Sequence, residues 1–76
     1  MKLSEHYIND VLPKRPYLTE ELLVNIINKP IRVEIQSNKR MKLWGYSSKF
    51  KKFVRIVLLE DGETILTAFF DRNFKI

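Results

Sequence analysis

Three side chains in this chain of 76 residues have types suited to phosphate chemistry: His6, Arg55 and Thr67. His6 is the sole histidine, and an imidazole is the side chain whose ordinary pKa lies near neutrality, so it is the natural proton-transfer group. Arg55 interrupts the apolar run FVRIVLL, where a charge must either be paired or face an opening. Each has a plainer interpretation: an exposed surface histidine, an arginine that snorkels at the sheet edge or pairs with a glutamate, and a threonine that simply favours a strand.

Composition narrows the chemistry further. With one histidine and no cysteine, the chain cannot build the usual structural zinc sites or a disulfide scaffold. It also lacks a glycine-rich phosphate loop, a paired-carboxylate motif and a nucleophile-elbow motif. What remains is cleavage of RNA through its own 2′-hydroxyl, because the substrate then supplies the nucleophile and the protein only positions phosphate and moves a proton. We therefore expect neither a metal nor a cofactor.

The formal net charge of +5 is concentrated in the middle of the chain. Residues 29–55 hold nine lysines and arginines against Glu34 alone. Such a concentration attracts polyanions, although lysines in loops also serve solubility. Trp44, Tyr46 and Phe50 lie among these cations, and aromatic rings in that setting can stack on unpaired bases. Trp44 could equally be a core residue.

Two helices are predicted in the N-terminal part. Ser4 is a plausible N-cap for a first helix, which Pro13 ends. Thr19 is a plausible N-cap for a second helix, followed by the stripe of Leu22, Leu23, Ile26 and Ile27 at helical spacing. Because Pro30 prevents continuation, the second helix should end near residue 28 or 29.

The apolar period then changes to two, which is typical of strands. Four strands are predicted, over residues 31–36, 41–46, 53–59 and 64–70. The first of them should be half-buried, and the third should be the central strand. This order predicts one α+β domain: helices in 1–29 packed on a four-stranded antiparallel sheet in 30–72, with a tail at 73–76. The sheet face away from the helices could then stay open for a ligand.

Register at the Asp61-Gly62 hairpin decides whether the two strand residues can cooperate. If those two residues alone form the turn, Arg55 lies opposite Ala68 and on the other face from Thr67. If the connection has three residues, Val57 lies opposite Thr67, and Arg55 shares the face of Thr67. The sequence leaves both registers open.

The segments SEHYINDVLPKRPYLTEELLVNIINKPIRV and FVRIVLLEDGETILTAFFDR resemble the opening and the closing hairpin of the small barnase/EndoU/colicin/RelE-like ribonucleases. The first has a histidine in its first helix and a basic residue before its second helix, and the other has an arginine strand and the letters TAF. Members of that superfamily are metal-independent ribonucleases, commonly encoded by phages or acting as toxins of toxin–antitoxin pairs. The resemblance implies an acid/base role for His6, phosphate binding by Arg15 and Arg55, and transition-state hydrogen bonding by Thr67.

The complete set of predicted site residues also contains a substrate-binding group: Lys14, Arg15, Lys42, Tyr46 and Arg72. Lys14 could replace Arg15, and Arg72 is a loose match to a second basic or aromatic residue that the family often has near the C-terminus. The leading hypothesis is therefore a toxin-type endoribonuclease, and the expected partners are RNA and an acidic antitoxin or other protein. The alternative is a non-catalytic module that docks on nucleic acid or on an acidic protein. No run is apolar enough to span a membrane, so the expected location is the cytoplasm.

Overall fold

A computed structural model describes residues 1–76 as one mixed sheet with helical segments on one face. Its strands are β1 (Lys2–Leu3), β2 (Arg32–Ile35), β3 (Met41–Ser47), β4 (Lys52–Leu58) and β5 (Thr64–Phe70). They lie in the order β1-β5-β4-β3-β2. A short π-helix (Tyr7–Val11) and the helix α1 (Glu20–Asn28) precede β2. Neither helical segment is long and apolar enough to cross a membrane.

The α+β class is confirmed, but the prediction of four antiparallel strands is wrong in one detail. A fifth strand, β1, pairs in parallel with β5, with Lys2 beside Thr64 and Leu3 beside Ile65. The amide of Ser4 extends this pairing by donating to the carbonyl of Ile65 at 3.0 Å. A two-residue strand is too short to show an alternating pattern, so sequence periodicity had no means of detecting it.

Both predicted helix starts are confirmed by their caps. The Ser4 hydroxyl accepts from the amide of Tyr7 at 3.0 Å, and the Thr19 hydroxyl accepts from the amide of Leu22 at 3.3 Å. The first segment, however, is wound as a π-helix, with the Leu12 amide donating to the Tyr7 carbonyl at 2.8 Å. This wider turn buries Tyr7 and Val11 and leaves the other half of the predicted apolar stripe exposed.

The main core lies between the helical segments and strands β3, β4 and β5. It consists of Tyr7, Val11, Leu18, Leu23, Ile26, Leu43, Val54, Ile56, Leu58, Ile65 and Ala68. Helix α1 approaches β3 closely: a Cβ atom at Gly45 would lie 2.5 Å from Cγ1 of Ile26. Gly45 is therefore required by the space between helix and sheet, which contains no room for a side chain at that position.

The β4–β5 hairpin uses both of the registers that the sequence left open. Near the turn Leu58 pairs with Ile65, which is the register of the shorter connection. A bulge then inserts one extra residue into β5, and beyond it Val57 pairs with Thr67 and Arg55 with Phe69. Arg55 and Thr67 consequently lie on the same face of the sheet, the face away from the helices.

Asp61 organises the turn of this hairpin. Its carboxylate accepts from the amides of Glu63 and Thr64, each at 2.9 Å, and from the Thr64 hydroxyl at 2.6 Å. The hydrogen bond from the Thr64 hydroxyl, helped by the two amides, lowers the pKa of Asp61 to about 2. Gly62 follows with a φ of 70°, a conformation that glycine adopts without steric cost. The predicted Asp-Gly turn is thus confirmed.

Strand β2 differs from its prediction as a half-buried strand. All four of its residues are exposed, because it is the outer strand of the sheet and α1 packs over β3 rather than over β2. Alternation in the sequence correctly indicated which side chains share a face, but it could not indicate that no element covers the apolar face.

Candidate nucleic-acid interface

The three predicted catalytic residues lie in two different layers of the molecule. His6 precedes the π-helix on the helical side, where it is exposed and its Nδ1 lies 3.2 Å from Oδ2 of Asp10. Arg55 and Thr67 project from the opposite face of the sheet. The fold therefore brings Arg55 and Thr67 together on one face and places His6 across the sheet from them.

Arg55 is held by an aspartate that follows β5. Both Nε and one terminal nitrogen of Arg55 donate to Oδ2 of Asp71, at 3.0 and 2.8 Å, and Nε1 of Trp44 donates to the same oxygen at 2.9 Å. The guanidinium also lies 5.5 Å from the centre of the Trp44 ring and 5.0 Å from that of Phe69. Its charge and two of its five N–H donors are thus engaged within the protein, by an aspartate and not by the glutamate that the paired interpretation expected.

Aromatic rings extend this arrangement across the face. Phe74, from the C-terminal tail, stacks on Trp44 with centroids 5.2 Å apart and meets Phe53 edge-on at 5.0 Å. We call Trp44, Phe53, Arg55, Asp71 and Phe74 the tail cluster. Trp44 is 5% exposed, so it is a core residue, although its core is the tail cluster and not the one beneath the helices. The centre of the expected open face is accordingly covered by the chain itself.

Asp71 carries the electrostatics of the tail cluster. The hydrogen bond from Trp44 lowers the pKa of its carboxyl, and the Arg55 guanidinium acts in the same direction, against the opposing effect of burial. Asp71 is therefore ionised at neutral pH and neutralises Arg55. Nothing in the sequence pattern indicates this role of Asp71, except that a carboxylate directly follows the apolar strand TILTAFF.

The predicted substrate-binding residues are spread over several surfaces. Lys14 and Arg15 lie in the loop after the π-helix. Burial raises the pKa of the Tyr7 hydroxyl above its ordinary value, and the charge of Arg15 partly opposes this effect. Lys42 and Tyr46 lie on β3, on the face of the tail cluster, whereas Arg72 is exposed in the tail. They do not form one contiguous cluster with Arg55 and Thr67.

A different site lies at the turn that joins β3 and β4, residues 48–51. There a groove of about 460 Å³ runs between α1 and this turn. Its lining includes three aromatic residues and two lysines among polar side chains: Tyr17, Thr19, Glu21, Leu22, Asn25, Ile26, Lys29, Gly45, Tyr46, Ser47, Ser48, Lys49 and Phe50. The Tyr46 ring itself lies on the opposite face of the sheet, where it meets Phe53 edge-on. Glu21 is the one carboxylate among them. We call this the turn groove.

Packing fixes the aromatic wall of the turn groove. Tyr17 stacks on Phe70 with centroids 5.2 Å apart and meets Phe50 edge-on at 5.8 Å. Nζ of Lys49 lies 5.5 Å from the Phe50 centroid, and Nζ of Lys52 lies 5.0 Å from that of Phe70. The rings are thus held in place by each other and bordered by cations, while Tyr17 keeps 38% of its surface exposed.

The cations around the turn groove have no acidic partner. The four ion pairs of the molecule are Lys2–Glu63, His6–Asp10, Arg40–Glu60 and Arg55–Asp71. Lys29, Lys49, Lys51 and Lys52 take part in none of them. The sequence indicated the lysines of the turn and Phe50, but it did not single out Tyr17 or Lys29, which only the packing of α1 against the turn brings to the same groove.

No family model, no characterised protein and no solved structure matches this chain. The resemblance to the barnase/EndoU/colicin/RelE-like ribonucleases therefore stays a prediction. No three carboxylate or histidine side chains lie close enough together to hold a metal ion.

Proposed function

We propose that this chain is a non-catalytic binding module for single-stranded RNA, which it holds in the turn groove. The observation that carries the proposal is the combination, in one groove, of an exposed aromatic wall with lysines that form no ion pair. The endoribonuclease hypothesis is the weaker one, because His6 lies across the sheet from Arg55, and Asp71 already occupies the Arg55 guanidinium.

The aromatic wall supports recognition of unpaired bases. Tyr17 is 38% exposed, so it offers part of its ring to a ligand, and the Phe50 ring lies beside it with centroids 5.8 Å apart. Stacking of a base on such a ring contributes about 1 to 3 kcal/mol and tolerates any sequence. Bases in a duplex are already stacked on each other, so the groove favours a single strand.

The lysines support recognition of the phosphate backbone. Lys29 and Lys49 line the groove, and Lys51 and Lys52 continue the positive surface along the turn. Each phosphate neutralised releases condensed counterions, so affinity for a single strand should fall with salt with a logarithmic slope of about −0.7 per contact. An acidic protein would also be attracted by the lysines, but it would gain nothing from the flat rings.

The test is fluorescence anisotropy of a labelled oligouridine RNA with the whole chain, in EDTA, over a series of salt concentrations. We expect binding that weakens steeply with salt, and a shallower salt slope for Lys49→Gln. The matched control is Lys2→Gln, which removes one charge from β1 at the other end of the sheet and should leave the slope unchanged. Phe50→Leu keeps an apolar side chain at this position but removes the ring. Because stacking does not depend on salt, this variant should weaken binding at every salt concentration.

Other results would contradict the proposal. Absence of binding at low salt would overturn it, as would equal losses for Lys49→Gln and Lys2→Gln. Equal binding of polyglutamate would indicate an acidic protein as the ligand. Cleavage of the RNA, abolished by His6→Ala and by Arg55→Ala, would support the endoribonuclease hypothesis instead.

A further inference from the structure

The outer strand β2 presents an apolar surface that helix α1 leaves largely exposed. Val33 and Ile35 lie on the helical side of the sheet and are 44% and 72% exposed, and Ile31, which directly precedes β2, is 45% exposed. Helix α1 packs mainly over β3, where Ile26 meets Gly45. An uncovered apolar edge of this kind invites pairing with another strand.

The backbone of β2 is also available for pairing. The amide of Gln36 donates to the carbonyl of Arg40 at 2.8 Å, so Gln36 directs its backbone groups toward β3. Glu34 and Arg32 are the next alternate residues, and they lie opposite Lys42 and Trp44. In an antiparallel ladder, alternate residues direct their N–H and C=O groups to the same neighbour. Those of Val33 and Ile35 therefore point away from β3, toward the outside of the sheet.

The order of residues along β2 is self-complementary under a two-fold rotation. If two copies align antiparallel with Val33 opposite Val33 of the second copy, Ile31 lies opposite Ile35, and Arg32 lies opposite Glu34. The apolar side chains then meet on one face and opposite charges meet on the other. Both charge pairs occur at non-hydrogen-bonded positions, where the side chains of facing residues are closest.

From this complementarity we infer that the chain forms a symmetric dimer through antiparallel pairing of β2 with β2 of a second copy. The two sheets become one continuous sheet, and the isologous contact closes after two chains. Glu34 gains the ion-pair partner that it lacks in the single chain, although Lys42 is its cross-strand neighbour. The inference does not depend on the proposed RNA function, because β2 contributes no residue to the turn groove.

Sedimentation equilibrium tests the dimer with two charge-reversal variants. The unchanged chain should reach twice the monomer mass as its concentration rises to the sub-millimolar range. Arg32→Glu alone places like charges opposite each other, and so does Glu34→Arg alone, so each variant should remain monomeric. An equimolar mixture of the two restores both charge pairs and should again give twice the monomer mass.

Controls separate pairing from folding. Circular dichroism should show that each single variant is folded, and Arg72→Glu, in the exposed tail, should dimerise like the unchanged chain. A chain that stays monomeric at every concentration would overturn the inference, and so would single variants that dimerise as well as the unchanged chain. If a variant proves unfolded, Val33→Pro decides, because it removes an N–H that points outward and none that β2 donates to β3. Loss of the dimer with the fold intact supports pairing through β2, and an intact dimer refutes it.

Discussion

The centre of the sheet face beneath the helices is held together mainly by aliphatic side chains, whereas the opposite face is held together by rings and one ion pair. Val54, Ile56 and Ala68 are completely buried beneath the helices, without any polar partner. Across the same strands, Arg55 and Trp44 converge on one carboxylate, that of Asp71. The first kind of packing depends on volume, and the second depends on directed hydrogen bonds.

The difference follows from what covers each face. A helix brings a full apolar stripe to the sheet, so it can exclude water over several strands. The six-residue tail after β5 has only Phe74 to place over Trp44, and the remaining contact must come from charge and hydrogen bonding. A short segment can therefore cover a sheet face when it supplies one ring and one carboxylate.

The largest expected effect comes from overfilling the helical face. Gly45→Ala places a methyl group 2.5 Å from Ile26, so α1 must move away from β3. Overpacking of this kind costs about 1 to 3 kcal/mol of the free energy of unfolding. Urea denaturation followed by circular dichroism measures the loss.

The control for Gly45→Ala is the other glycine. Gly62→Ala introduces a methyl group whose nearest neighbour is Sδ of Met41 at 3.9 Å, so its cost is the positive φ alone, about 1 to 2 kcal/mol. Suppression of the Gly45→Ala loss by Ile26→Ala, which clears that space, would identify the cause as steric. If the double variant instead loses the sum of the two single losses in free energy of unfolding, Gly45→Ala does not act through a clash with Ile26. The helical face would then not depend on volume, as the comparison of the two faces requires.

A smaller effect is expected on the opposite face. Asp71→Asn keeps the shape of the side chain but leaves Arg55, whose side chain is 27% exposed, without its counter-charge. We expect a loss of about 1 kcal/mol at neutral pH, because water partly solvates the Arg55 guanidinium, with a change in Trp44 fluorescence.

The pH dependence of this loss identifies its origin. Because the pKa of Asp71 is lower in the folded chain than in the unfolded one, its ionised form stabilises the fold above the unfolded value, about 3.9. This contribution disappears as the pH falls through the folded pKa. Urea denaturation from pH 7 downward should show the unchanged chain and Asp71→Asn converging in acid. A constant difference between them at all pH values would show that the charge of Asp71 does not hold the tail cluster.

The smallest effect is expected at His6. Its pair with Asp10 is exposed on both sides, so His6→Ala should change the free energy of unfolding by no more than about 0.5 kcal/mol. RNA anisotropy with this variant should match that of the unchanged chain, because His6 lies outside the turn groove. Weaker RNA binding by His6→Ala would extend the interface beyond the turn groove to the π-helix.

Particular residues show what could be predicted from the sequence. Ser4, Thr19 and the Asp61-Gly62 turn act through partners within three residues, so local chemistry was sufficient to predict them. The convergence of Trp44 and Arg55 on Asp71 joins residues from two strands and a tail, and nothing local indicates it. The bulge between Ile65 and Thr67 is a similar case. It changes the register between the turn and the rest of the hairpin, and no local pattern indicates it.

The candidate interface was predictable in part for the same reason. Lys49, Phe50, Lys51 and Lys52 are adjacent in the chain, so their combination of charge and aromatic character is visible in the sequence. Tyr17 joins them only because the loop before α1 packs against Phe50 and Phe70. Long-range packing therefore decides which rings complete the turn groove.

The parallel pairing of β1 with β5 has a consequence for the order of folding. The Ser4 hydroxyl donates to the carbonyl of Leu66, 62 positions later in the chain. Contacts of such sequence separation close slowly. Tyr7 and Val11 share one core with Ile65 and Ala68 of β5. The segment that contains β1 and the π-helix should therefore complete its packing only after the β4–β5 hairpin has formed.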